Sequence, residues 1–115
     1  MKKVILDTNF IVTCVKQKID FFEYLKFQGM EILIPKQVIK ETENLKTSNA
    51  KLSLKILEKN QFKKIDLGKG HVDKLIINFA RENPKIIVAT LDRELKNKIK
   101  NNKLIIRGKK KLEVI

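Results

Sequence analysis

The chain has 115 residues, of which 43% are hydrophobic and 34% charged. This composition is typical of a single globular domain and excludes a disordered chain. Lysine and arginine total 26 against 13 aspartate and glutamate residues, and the resulting net charge of +13 favours a polyanionic partner such as nucleic acid.

Short apolar segments that alternate with helical patterns predict the architecture. The five predicted strands are VILD, MEILI, FKKID, KIIVAT and KLIIR. The predicted helices are FIVTCVKQ, DFFEYLKFQG, residues 36–46, residues 50–57, HVDKLIINFARE and DRELKNKIK. Asp20 and Glu23 form a capping-box pattern, Gly29 suits a helix end, and Pro35 suits a first helical turn. We therefore predict one α/β domain over residues 1–115, a three-layer αβα sandwich with a central parallel β-sheet.

Several locations and site types are disfavoured. No apolar run approaches the roughly 20 residues of a membrane span, and the start does not predict a signal peptide, so a cytoplasmic location without membrane contact is expected. The single cysteine, Cys14, excludes an intrachain disulfide and a cysteine zinc site. The segment LGKG at 67–70 is too short for a P-loop.

Two acids follow strands that are expected to be neighbours. In open parallel sheets, sites form beyond the carboxyl ends of the strands, where the strand order reverses. Asp7 ends the first strand, and Asp92 follows the fourth. A local reading remains open for Asp92, which could simply begin the last long helix, with Thr90 as its cap instead.

The predicted helix after Pro35 carries two further candidates. Glu41 and Glu43 flank its apolar stripe on opposite sides, so the periodicity does not choose between them. A pair of solvated surface carboxylates is the alternative.

In the segment VDKLIINFARE, Asp73 shares its helical spacing with Ile76, Ile77 and Ala80. This spacing predicts Asp73 on or beside the buried face, near the helix start, where a carboxylate also favours the helix dipole. His71 could be a ligand, a base or only a cap residue.

A group of carboxylates requires a cation. Two carboxylates about 4 Å apart repel each other by roughly 4 kcal/mol at an effective dielectric constant near 20. Bound Mg²⁺ or Mn²⁺ removes that repulsion, because both ions prefer oxygen ligands. Such an ion also lowers the pKa of a bound water and neutralises charge on a phosphodiester.

The segments VILDTNFIV, IPKQVIKETENL, VDKLIINFA and VATLDRELKNKIK together resemble the PIN-domain ribonucleases over essentially the whole chain. The small archaeal and ribosome-biogenesis members are more similar than the VapC-type toxins, although Leu91 replaces a residue that is often polar there. The resemblance implies that the catalytic residues, which would also hold Mg²⁺ or Mn²⁺, are Asp7, Glu41, Asp73 and Asp92. The pattern V-I-x-E of the family matches Glu41 rather than Glu43. Asn9 and Thr90 match polar positions in the outer part of the site.

The function implied is metal-dependent hydrolysis of RNA phosphodiester bonds, in processing of ribosomal RNA or in RNA turnover. The expected partners are RNA, a second copy in a homodimer, and either a ribosomal precursor or an antitoxin. Basic residues after Asp92 are the expected nucleic-acid contacts: Arg93, Lys96, Lys98, Lys100 and Arg107. The few aromatic residues predict weak sequence readout and more dependence on RNA shape.

Three alternatives compete with this function. A catalytically silent RNA-binding domain, acting as a ribosome-assembly factor, would use the same fold. The toxin of a toxin–antitoxin pair would share the chemistry. A phosphatase of the haloacid dehalogenase type also begins with a strand that ends in Asp, but it needs a second Asp where this chain has Asn9.

Overall fold

The structure, a computed structural model, describes residues 1–115. It contains one six-stranded sheet and six helices. The strands are β1 Lys3–Leu6, β2 Glu31–Pro35, β3 Lys63–Ile65, β4 Ile87–Ala89, β5 Lys103–Arg107 and β6 Lys111–Val114. The helices are α1 Thr8–Lys16, α2 Phe21–Phe27, α3 Lys36–Leu45, α4 Ser48–Glu58, α5 Val72–Glu82 and α6 Arg93–Asn97.

The strand order is β3-β2-β1-β4-β5-β6, and the first five strands are parallel. From β1 the chain moves outward through β2 and β3, then returns to β4 on the other side of β1. The order therefore reverses between β1 and β4, as the predicted position of the site requires.

The predicted α/β sandwich is confirmed, with one correction at the edge of the sheet. Strand β6 was not predicted, and it pairs with β5 in the antiparallel direction. Gly108, with a φ of 65°, lies in the turn that makes this hairpin. The charged run around Lys109 and Lys110 hid the strand, because an edge strand buries too few residues to give a clear apolar pattern.

The central strands are covered on both faces. Val4, Ile5 and Leu6 follow one another in β1, and all three are fully buried. Since successive side chains of a strand point to opposite faces, helices must cover both sides of the sheet. Helices α1, α3 and α4 pack against one another. No helix combines the length and the apolar character needed to cross a membrane.

Side chains at the helix starts explain most of the helix boundaries. Asp20 accepts a hydrogen bond from the backbone N–H of Glu23 at 3.0 Å, which confirms the predicted cap of α2. Gly29 has a φ of 70° and ends that helical segment, also as predicted. Pro35 is the last residue of β2 and the N-cap of α3 instead of part of the first helical turn. Its φ of −63° suits both roles, so the strand leads directly into the helix.

Asn101 joins the end of α5 to the segment that leads into β5. Its side-chain amide is buried and donates hydrogen bonds to the carbonyl oxygens of Ala80, Asn83 and Ile86 at 3.1, 3.0 and 2.9 Å. These carbonyls belong to the last turn of α5 and to the loop before β4. One side chain thus binds three backbone acceptors and ties the end of α5 to the loop before β4.

Candidate active site

Asp7 lies at the carboxyl end of β1 and is only 4% exposed. Its Oδ1 accepts a hydrogen bond from the backbone N–H of Thr8 at 2.8 Å, as the N-cap of α1. Its Oδ2 accepts from Thr90 Oγ1 at 2.9 Å, and its backbone N–H donates to Ala89 O at 3.0 Å. Each oxygen of this carboxylate is therefore fixed by one hydrogen bond, from the start of α1 and from the residue after β4.

The environment of Asp7 disfavours its charged form. Burial raises its pKa, and the negative charges of Asp73 and Glu41 raise it further. The hydrogen bonds from Thr90 and from the Thr8 backbone stabilise the carboxylate and lower the pKa, but they do not compensate. The net result is a pKa of about 6, against an ordinary value of 3.8. Such a carboxylate gains free energy from a nearby cation.

Asp73 lies in the first turn of α5 and is exposed, which corrects its prediction on or beside the buried face. The helix begins at Val72, so Asp73 lies in its first turn, whereas the buried residues Ile76, Ile77 and Ala80 lie further along it. The pKa of Asp73 is raised, first by partial loss of solvent around the carboxyl and then by the charges of Asp92 and Glu41. The Asp73 carboxyl is also within hydrogen-bonding reach of Asp92.

Helix α3 presents Glu41, not Glu43, to the other acids. The charge of Glu41 raises the pKa of both Asp7 and Asp73, and Glu43 is not among the main causes of either shift. Both glutamates are exposed and lie only two residues apart. Side chains two positions apart leave a helix in different directions, which places the two carboxylates in different environments. Periodicity alone did not decide which of them faces the other acids.

Asp92 is the N-cap of α6 and accepts hydrogen bonds from the backbone N–H groups of Glu94 and Leu95 at 2.9 and 3.3 Å. Thr90 does not replace it as the cap. The Thr90 hydroxyl instead accepts from the Asp92 backbone N–H at 3.1 Å while it donates to Asp7. The cap leaves Asp92 Oδ2 without a hydrogen bond in the structure, so the local role does not occupy the whole carboxylate.

Two features near these acids were not predicted, and two residues that were considered as candidates are peripheral. Glu94 is close enough to raise the pKa of Asp73, and the spacing Asp-x-Glu at a helix start was the available signal. The Thr8 hydroxyl is buried and has no hydrogen-bond partner. Asn9 is exposed in the first turn of α1, and His71 is an exposed N-cap residue of α5 whose side chain makes no capping hydrogen bond.

None of the four predicted acids has a basic partner. The ion pairs of the chain are Lys3–Glu31, Lys36–Asp66 and Arg107–Glu113. With 26 lysine and arginine residues available, ion pairs at the four acids would be easy to form, yet the fold supplies none. The acids therefore stay free for a cation from solution, at a position where their mutual repulsion is not otherwise relieved.

The predicted basic contacts do not all lie near the acids. Arg93 follows Asp92 directly and is exposed, and Lys96 lies in the same short helix. Lys98 lies beside the far end of α5, because its carbonyl accepts two hydrogen bonds from Arg81. That end is about 12 Å along the helix from Asp73, at 1.5 Å per residue. Lys100 precedes the buried Asn101 at the same end, and Arg107 contacts Glu113 across the hairpin.

Comparison with known proteins agrees with this geometry. The family model for the PIN-like domain matches residues 4–110. The chain is 33% identical to ribonuclease VapC4 of Methanocaldococcus jannaschii, over 99% of this chain and 97% of that protein. The strand order and the acids at the switch point thus occur in a chain whose sequence matches one family from end to end.

Solved structures show the same fold. The PIN domain endonuclease Utp24 superposes with a TM-score of 0.84 at 28% identity, covering 97% of this chain and 90% of that one. VapBC2 from Rickettsia felis, solved with a DNA fragment from its promoter, matches at a TM-score of 0.64 and 19% identity, with coverage of 88% and 98%. A domain of a functionally unknown protein from M. jannaschii matches equally well over 100% and 99% of the two chains. The match over residues 4–110 establishes that this chain belongs to the PIN-like domain family.

Proposed function

We propose that the protein is a metal-dependent endoribonuclease. The observation that carries this proposal is the group of free carboxylates at the switch point of a strongly basic chain, in which no lysine or arginine neutralises Asp7, Glu41, Asp73 or Asp92. The names of two relatives support the reaction class, since one is a ribonuclease and the other an endonuclease.

The residues fit a hard divalent cation. All four donors are carboxylates, which are the ligands that Mg²⁺ and Mn²⁺ prefer, and Asp7 is held rigidly by three hydrogen bonds to its side chain and backbone. No three histidine, cysteine, aspartate or glutamate side chains are already grouped to hold an ion. Glu41 and Asp73 are exposed and without ion pairs, so their side chains can turn toward Asp7 when a cation binds.

Each part of the site has a separate task. Bound Mg²⁺ or Mn²⁺ would supply an activated water and neutralise the charge of the phosphodiester. Asp7 and Asp92, which follow β1 and β4, would hold the cation. Thr90 keeps both in register through its hydroxyl. Glu41 and Asp73 complete the ligand set from the two helices.

The test is cleavage of a fluorescent, unstructured RNA with Mg²⁺ or Mn²⁺ by the wild type, Asp7→Asn and Asp92→Asn. We expect cleavage by the wild type and a loss of at least about 100-fold in each variant, with circular dichroism unchanged. Equal activity in all three proteins would identify a contaminating nuclease and reject the proposal. RNA binding without cleavage under every metal condition would support the silent RNA-binding role instead.

The toxin role is a second candidate, and the 33% identity to ribonuclease VapC4 favours it. It predicts that expression of the wild type arrests growth of a host cell, that Asp7→Asn does not, and that a co-expressed antitoxin relieves the arrest. Normal growth with abundant soluble wild-type protein would instead favour a role in ribosomal RNA processing or RNA turnover.

A further inference from the structure

A polar groove beside α3 is lined by Glu41, one of the four acids. Its volume is about 660 Å³, within the range of ligand sites. One wall is the exposed face of α3 with Lys36, Lys40 and Asn44, and the other is formed by Lys64 of β3 and by Gly70. The groove is also lined by Val72, which precedes Asp73 in the chain.

The loop after β3 is held against the start of α3 by two side chains, mainly by Gln37. Gln37 Nε2 donates to Asp66 Oδ1 at 2.7 Å and to the Gly68 carbonyl at 2.8 Å, while its Oε1 accepts from the Leu67 backbone at 3.2 Å. Lys36 adds an ion pair to Asp66 at 3.0 Å. These contacts join the start of α3 to the loop after β3, so the groove between them is largely preformed.

The charges of the lining suit an RNA backbone. Lys40 and Lys64 are exposed and have no acidic partner, whereas Lys36 is already paired. Only two hydrophobic side chains line the groove, Ile39 and Val72, and neither is aromatic. The groove can therefore hold phosphates but offers no surface on which bases stack, which favours contacts that do not depend on sequence.

We infer that this groove binds the single-stranded RNA segment that leads to the scissile phosphate, and that Lys40 and Lys64 contact its backbone. The inference rests on the proposed ribonuclease function and gives the path of the substrate. It moves the principal RNA contacts from the segment after Asp92 to α3 and β3. Glu41 and Glu43 also line the groove, so the phosphates are expected beside the two lysines and away from these carboxylates.

The sheet offers a closely matched control. Lys63 and Lys64 are consecutive, exposed residues of the edge strand β3, and they face opposite sides. Lys63 lines a separate groove of about 1130 Å³ that also includes Lys26 and the start of β2 at Glu31, at the opposite end of the strands. The double variants Lys40→Gln/Lys64→Gln and Lys26→Gln/Lys63→Gln therefore change the net charge equally.

Binding is measured by fluorescence anisotropy with a single-stranded RNA in the Asp7→Asn background, which keeps the RNA intact. We expect Lys40→Gln/Lys64→Gln to weaken binding about 10-fold or more, and to lower the slope of log Kd against log salt by about 1.4, or 0.7 per lost phosphate contact. Lys26→Gln/Lys63→Gln should change Kd less than about 2-fold. Equal effects of the two double variants would overturn the inference, because they would show that RNA affinity depends on the overall charge of the protein and not on this groove.

Cleavage in the wild-type background separates this inference from the proposed function. If the groove positions substrate, Lys40→Gln/Lys64→Gln raises KM more than it lowers kcat. Cleavage with unchanged KM in that variant would overturn the inference about the groove but not the proposed ribonuclease function. RNA binding that depends on the groove, without cleavage, would overturn the ribonuclease function but not RNA binding by the groove.

Discussion

Thr90 Oγ1 donates a hydrogen bond of 2.9 Å to Asp7 Oδ2, although the two residues are separated by 83 positions in the sequence. Thr90 is fully buried and Asp7 nearly so. The same hydroxyl accepts from the backbone N–H of Asp92, so it links the acid after β1 to the acid after β4. A buried side-chain contact thus adds to the pairing of β1 with β4 in fixing the relative position of the two acids.

Replacement of Thr90 by valine tests this link. The change preserves the shape of the side chain but removes the donor to Asp7 and leaves the Asp92 N–H unpaired. We expect the pKa of Asp7 to rise above about 6, because its charged form loses a hydrogen bond. A carboxyl-carbon NMR titration measures this value directly, and Thr90→Ser should restore it. An unchanged titration in Thr90→Val would show that the hydroxyl does not support the site.

The buried acid should make stability depend on pH. The folded-state pKa of Asp7, about 6, lies above its ordinary value of 3.8, so the folded chain binds this proton more tightly than the unfolded chain. The stability that this group contributes is fully present below pH 4 and is lost as the pH rises through 6. The difference between the two pKa values corresponds to about 3 kcal/mol.

Asp7→Asn removes that titration and keeps an acceptor for the Thr8 N–H. In metal-free buffer we expect the variant to exceed the wild type in free energy of unfolding by about 1–3 kcal/mol at pH 7.5, and by much less at pH 4.5. Urea unfolding at the two pH values measures both. Asp66→Asn is the control, because that exposed carboxylate has a lowered pKa of about 2 and should not show this gain. A variant that is less stable than the wild type at pH 7.5 would contradict the prediction.

The sequence was sufficient for most of the fold because each central strand is a short apolar run and most helices carry their own caps. Asp20 and Gly29, for example, act through neighbours within a few residues. The sequence could not supply β6, whose pairing depends on β5. Periodicity could not choose between Glu41 and Glu43, because the choice depends on how α3 is rotated against the sheet, and only the family resemblance favoured Glu41. Gln37 was not predicted for the same reason, since its partners lie about 30 positions away.

Glu41 and Glu43 form a matched pair for the proposed metal site. They share a helix, a charge and an exposed position, but Glu41 is the one among the main causes that raise the pKa of Asp7 and Asp73. We expect Glu41→Gln to weaken Mn²⁺ binding about 10- to 100-fold and to lower cleavage at least as much, and Glu43→Gln to change both less than about 3-fold. Isothermal titration calorimetry gives the Mn²⁺ affinity independently of catalysis. Equal losses in the two variants would show that this helix contributes only general negative charge.

Asn101 should be among the most sensitive residues outside the site. Its buried amide donates to the carbonyls of Ala80, Asn83 and Ile86, of which the first two also accept from the backbone N–H groups of Asn83 and Ile86. We expect Asn101→Leu to lose about 2–4 kcal/mol in the free energy of unfolding, because three hydrogen bonds of about 0.5–1.5 kcal/mol each are removed and the apolar side chain fits poorly. Asn101→Asp should lose at least as much, since a carboxylate would face three carbonyl oxygens.

Asn102→Leu is the control, because the side chain of Asn102 is exposed. We expect this change to alter the free energy of unfolding by no more than about 0.5 kcal/mol. Similar stabilities of the Asn101 and Asn102 variants in urea would show that other groups or water can satisfy these carbonyls.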